Sequence, residues 1–253
     1  MYKDRRGEIT MPKPARIYIA CVAAAGLTIL AVALYRCQWA GLWRFLAFLS
    51  LALIASTQKI RLPRMKGTMS LSFLFILIGI TDFSFGETLL LGCTAAIVQS
   101  LWKTKHPPTG KQVIFNIATL VLCAGFADWA SHGILGLTHT NSLVLLLTSA
   151  CFLFLLMNTG FVAGVIALTE QRPFRKEWLH CFYWSFPYFL VGAVAAGLVS
   201  ATSHSRGWTV ALLVLPLMYL CHFWYHIHVE NVARRQAFVV NQDELSPVLV
   251  QDS

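Results

Sequence analysis

Eight apolar runs follow one another along the chain, each closed by a short segment rich in charge, proline or glycine. They cover residues 17–35, 41–56, 68–81, 87–102, 112–135, 142–169, 178–200 and 208–228. Their apolar residues are continuous rather than alternating, which predicts helices and not the strands of a barrel. Most are long enough to cross the roughly 30 Å hydrocarbon layer as a helix. The expected fold class is therefore all-α, a polytopic membrane protein of about eight transmembrane helices. Run 68–81 is short: fourteen residues make about 21 Å of helix. Either it tilts with its ends covered by neighbours, or part of the preceding loop dips into the membrane, which exposed backbone tolerates only inside protein or beside a cavity.

The segments between runs alternate in charge. With both termini on the cytoplasmic side, the inner segments hold 17 Lys and Arg and the outer turns hold only Arg36 and Arg206. This is the positive-inside pattern, and one missed or invented span would scramble it. Arg44 completes the set of 20. It sits one turn inside the second run, where it either snorkels to the interface or pairs with an outer carboxylate. Three regions follow: a basic tail at 1–16, a membrane domain at 17–228 and a cytoplasmic tail at 229–253. Pro12 and Pro14 are expected to keep the first tail out of the helix that follows. That tail is too polar for the apolar core of a cleavable signal, so the first run is expected to be a retained anchor.

Composition agrees with this organisation. The 253 residues are 57% hydrophobic and 12% charged, against about 25% charged in a soluble domain. The net charge of +9 lies in loops and is assigned to topology, so nucleic acid is not an expected partner. The seven cysteines are odd in number, lack a C-x-x-C pair and sit mainly within apolar runs. Neither a disulfide framework nor a zinc site is expected.

Ionisable and amide side chains within spans are costly to bury, so they are the first candidates for function. An outer group holds Asp82, Glu87, Asp128 and His132, with Arg36 and Arg44 nearby. Asp82 and Glu87 fit a solvated turn, Glu87 being placed to cap a helix N-terminus; Asp128 fits a pocket as well as a structural role. An inner and middle group includes Gln99, Asn116, Asn158, His180 and Trp184. Gln99 and Asn116 lie at similar depth, where an interhelical hydrogen bond is reasonable. Asn158-Thr159-Gly160 is read as a polar break that lets backbones approach. The ligand-binding candidates are Asp128, Glu87, Asn158, Gln99 and Asn116. His222 and His226, spaced i, i+4, could present two metal or haem ligands, but fit an aromatic helix end better. No catalytic motif or cofactor fingerprint is found, so no cofactor or metal is expected, and a membrane enzyme or haem protein using His222 and His226 stays open only as a third reading.

Three stretches carry a likeness: KIRLPRMKGTMSLSFLFILIGI at 59–80, ETLLLGCTAAIVQSLW at 87–102, and NTGFVAGVIALTE with FYWSFPYFLVGAVAAGL at 158–170 and 182–198. Together they resemble the MASE-like integral-membrane sensor region found N-terminal to GGDEF diguanylate cyclase or HD-GYP phosphodiesterase domains of bacteria. The resemblance implies a multi-pass protein of the bacterial inner membrane that passes a ligand signal to a cytoplasmic partner. Eighteen residues follow Arg235, so no output domain is expected and cyclic-di-GMP turnover is not inherited. The hairpin at 59–102 is also similar to substrate-binding subunits of energy-coupling-factor vitamin transporters, which implies a small-molecule-binding transport subunit as the alternative. The partners expected are the lipid bilayer, a small-molecule ligand, a cytoplasmic signalling protein and a second copy of the chain.

Overall fold

An apolar run with no internal breaker has its lowest-cost backbone in a helix, because only a helix satisfies its own N–H and C=O groups inside lipid. The computed structural model describes residues 11–39, 41–57, 59–61, 68–70, 72–102, 108–206, 223 and 227. Among these are seven helices: α1 (Lys13–Tyr35), α2 (Leu42–Thr57), α3 (Ser72–Asp82), α4 (Phe85–Leu101), α5 (Gly110–Thr138), α6 (Leu143–Glu170) and α7 (Phe174–Arg206). Four are long and apolar enough to cross a membrane: α1, α5, α6 and the Phe174–Ser203 part of α7. The molecule is thus a helical membrane protein. The eighth run, the C-terminal tail and the His222–His226 pair lie outside the described residues, apart from helical Phe223 and Ile227.

Two local expectations are corrected. Pro14 does not hold the tail apart: α1 begins at Lys13, with proline in its first turn. There the missing N–H costs nothing, because first-turn donors have no helical acceptor. The third run is not one helix. Thr68–Ser70 pairs antiparallel with Lys59–Arg61 as a two-stranded ribbon, β2 with β1, and α3 starts only at Ser72. Eleven residues make about 16 Å of helix. Every residue from Ser72 to Ile80 is buried. A helix that is apolar all round and short belongs inside protein, and α3 is walled by α2, α4, α6 and α7.

The long helices behave differently. On α1 only Ala15, Val22, Gly26 and Ala33 are buried, a narrow stripe that meets mainly α5 and, at Ala33, the start of α4. Gly26 is required there, since a Cβ would come within 2.6 Å of the Ala118 Cα. The remaining faces of α1 expose Ile17, Leu27 and Val32, apolar surface suited to lipid tails. Successive helices alternate in direction. Phe73 meets Gly192 while Asp82 meets Ser200, so α3 and α7 run the same way. Tyr18 meets Phe115 while Ile29 approaches Gly125, so α1 and α5 do too. Tyr18 Oη donates to the Phe161 carbonyl at 3.2 Å, near the far end of an oppositely directed α6. The α1–α2 turn, the α3–α4 turn, the end of α5 and Ser200 therefore share one end of the bundle.

Candidate functional site

A charge at the end of a buried helix needs a partner, because leaving it alone in low dielectric costs several kcal/mol. Asp82 ends α3 with its side chain only 3% exposed. Arg44 Nη2 from α2 donates to its Oδ1 at 2.7 Å, and Ser200 Oγ from α7 donates to its Oδ2 at 2.7 Å. Thr81 Oγ1 also donates to Oδ2 at 3.0 Å and lies 2.7 Å from Ser200 Oγ. One carboxylate thus ties α2, α3 and α7 together. The Arg44 guanidinium also lies over the Phe83 ring, 4.8 Å from its centroid, a cation–π contact. Phe83 packs edge-on against Phe48 of α2 with ring centroids 5.4 Å apart.

Two residues on, the chain turns into α4 through a capping box. The Ser84 N–H donates to Glu87 Oε2 at 2.9 Å, Ser84 Oγ donates to the same oxygen at 2.9 Å, and the Glu87 N–H donates back to Ser84 Oγ at 3.4 Å. Glu87 is fully buried. Its carboxylate satisfies donors that the first turn of α4 would leave open. The sequence expectation that Glu87 caps a helix is met, whereas Asp82 differs from a solvated turn residue: it is buried and ion-paired.

The other sequence candidates are spread over the bundle. Asp128 pairs with His132 one turn along α5, Oδ1 to Nδ1 3.4 Å, on a partly exposed face. Gln99 Oε1 accepts from Ser72 Oγ at 3.4 Å, joining α4 to the start of α3. Asn116 is exposed on α5, so the Gln99–Asn116 bond is replaced by the Gln99–Ser72 contact. Asn158 is half-buried in a continuous α6, and a Cβ at Gly160 would meet nothing within 4 Å. The polar break is therefore not a backbone approach. Its informative member is Thr159, whose Oγ1 accepts from Trp178 Nε1 at 3.2 Å. Among the aromatics of 180–188, Tyr188 is buried and Tyr183 exposed, which fits packing on one face and lipid on the other.

Next to the α3–α4 turn lies a groove of about 430 Å³ between α1 and the start of α4. None of Asp128, Glu87, Asn158, Gln99 and Asn116 lines it. Among the described residues no three His, Cys, Asp or Glu side chains converge as a metal site would need. The residues that sequence reasoning missed are Thr81 and Ser200. Hydroxyls near span ends are common, and nothing in their spacing ties residue 200 to residue 82.

Comparison with protein-family models, with curated proteins and with solved structures finds no match for this chain.

Proposed function

We propose that this protein is a membrane sensor or ligand-binding module of the bacterial inner membrane, with eight spans and both termini cytoplasmic. The observation that carries the reading is the pinned inner helix. α3 is short, buried from Ser72 to Ile80, and held at one end by a single carboxylate shared between α2 and α7. Such an element has two natural arrangements, engaged and released, and a ligand favouring either would shift the balance between them. α7 carries Ser200 near its end and leads into the eighth run, which would pass the shift towards the C-terminal tail. The alternating helix directions and the 17-to-2 division of Lys and Arg support the eight-span orientation.

The half-length α3 also favours a second reading. Short helices buried at membrane depth are a feature of transporter binding sites, so a small-molecule-binding transport subunit is the rival. The two differ in company. A transport subunit co-purifies with an ATP-hydrolysing module or supports uptake in cells, whereas a sensor retains a signalling protein through its cytoplasmic side. The test is affinity purification of the full chain from gently solubilised native membranes, followed by a thermal-shift screen of small metabolites. The sensor reading expects a signalling partner and a ligand whose stabilisation changes when Asp128 or Asn158 becomes Ala. Recovery of an ATPase module, or ligand stabilisation untouched by both substitutions, overturns the respective part.

A further inference from the structure

The groove beside the α3–α4 turn has a chemistry of its own. One wall is a single face of α1, formed by Thr28, Ile29, Val32 and Ala33. From Thr28 to Arg36 this wall runs about 12 Å along the helix. Phe85 and Gly86 form the opposite side. Gly86 sets the depth of the floor: a Cβ there would lie 2.7 Å from Cys37 Sγ and 2.9 Å from the Ala33 carbonyl oxygen. The polar end holds Arg36, Gln38 and Ser84.

The position of that polar end relative to the bilayer is marked independently. Tyr35 is 92% exposed, and Trp39 and Trp43 are also exposed. Aromatic residues of this kind anchor at the level of lipid headgroups. Arg36, between Tyr35 and Trp39, therefore lies at phosphate depth, while the apolar wall runs from it towards the hydrocarbon. Among the described residues of the lining Arg36 is the only charged one, and no carboxylate joins it there. A zwitterionic headgroup would bring a cation with no counter-charge among the described lining residues; a net anionic one would not.

We infer that the groove binds one anionic phospholipid, with an acyl chain along the Thr28–Ala33 face of α1 and the phosphate against Arg36. The volume falls within the usual range for small-molecule sites. Only embedding in a bilayer is required, so the inference stands apart from the signalling reading. Because Ser84 caps α4 and Gly86 lies in its first turn, just after Asp82, a lipid seated here would also brace the pinned end of α3.

The test is native mass spectrometry of the full chain in uncharged detergent, titrated with phosphatidylglycerol or phosphatidylethanolamine. The expected result is about fivefold tighter binding of phosphatidylglycerol, the worth of one interfacial cation. Arg36→Gln, at an exposed position, should abolish the preference. Val32→Trp, which puts a ring into the groove from its exposed edge, should weaken both lipids. Free glycerol 3-phosphate should not compete, since it has no chain to bury. Equal affinity for the two lipids, a preference that survives Arg36→Gln, unchanged binding in Val32→Trp, or competition by glycerol 3-phosphate would each overturn the proposal.

Discussion

Asp82 is the residue on which most depends, because three helices meet at its two oxygens. Removing its charge leaves the Arg44 side chain, 26% exposed, without this carboxylate. Asp82→Ala is expected to cost about 1–3 kcal/mol, between the loss for an exposed pair and that for a buried pair broken on one side. The joint change Arg44→Leu with Asp82→Leu should recover most of that loss, because it removes the buried carboxylate and its partner together. Thermal unfolding in detergent measures both, and an Asp82→Ala protein as stable as the parent would demote the pair to a rim contact. Glu87 separates two roles in the same way. A capping carboxylate tolerates Glu87→Gln, whose amide oxygen still accepts from Ser84, while Glu87→Ala should lose about 1–2 kcal/mol. A ligand-binding role would instead make Glu87→Gln defective in ligand response at unchanged stability. The capping role was legible in the sequence, from Ser84 followed three residues later by Glu87. Burial of Asp82 was not, because it depends on Ser200, more than a hundred residues away in the chain.

At the scale of elements, the long helices were legible and the short one was not. The runs at 112–135 and 142–169 became α5 and α6 with ends displaced by only a few residues, since hydropathy over some twenty residues leaves the backbone no alternative in lipid. The third run stands out only by its shortness, which leaves open whether it tilts or is joined by a dipping loop. Its division into a ribbon strand and an eleven-residue helix depends on pairing with Lys59–Arg61 and on enclosure by four other helices, and neither is written in the run itself. Glycines show how closely the elements meet. At Gly26 an added methyl collides with the Ala118 backbone at 2.6 Å, which no rotamer change relieves. Gly26→Ala is expected to destabilise by about 1–3 kcal/mol. At Gly160 the space is open, and Gly160→Ala should be neutral or stabilise by up to about 1 kcal/mol through helix propensity. Melting points of the two variants, purified side by side, decide whether α1 and α5 cross as closely as described.

Over the whole molecule, charge and direction make one joint demand. The turn at 139–142, between α5 and α6, contains no Lys or Arg, whereas the turn between α6 and α7 carries Arg172, which pairs with Glu170 at 3.2 Å and with Glu177 at 3.3 Å. Arg175 and Lys176 follow directly. α6 separates these turns by 28 residues, about 42 Å of helix, so they lie on opposite sides of any bilayer that α6 crosses. On the proposed orientation, the positive-inside rule leads one to expect the Arg172 turn on the cytoplasmic side. Alkaline phosphatase joined after Thr140 should be active in a bacterial host, and green fluorescent protein joined there should be dark; joined after Arg172, the two reporters should exchange behaviour. Identical behaviour at both sites would remove α6 as a span. A clean exchange of the opposite sign would keep the bundle but invert it, placing the Asp82 pin and the Arg36 groove at the cytoplasmic leaflet. The groove's lipid preference would survive that inversion, since anionic headgroups occupy that leaflet too, but a ligand reaching the pin would then have to come from inside the cell.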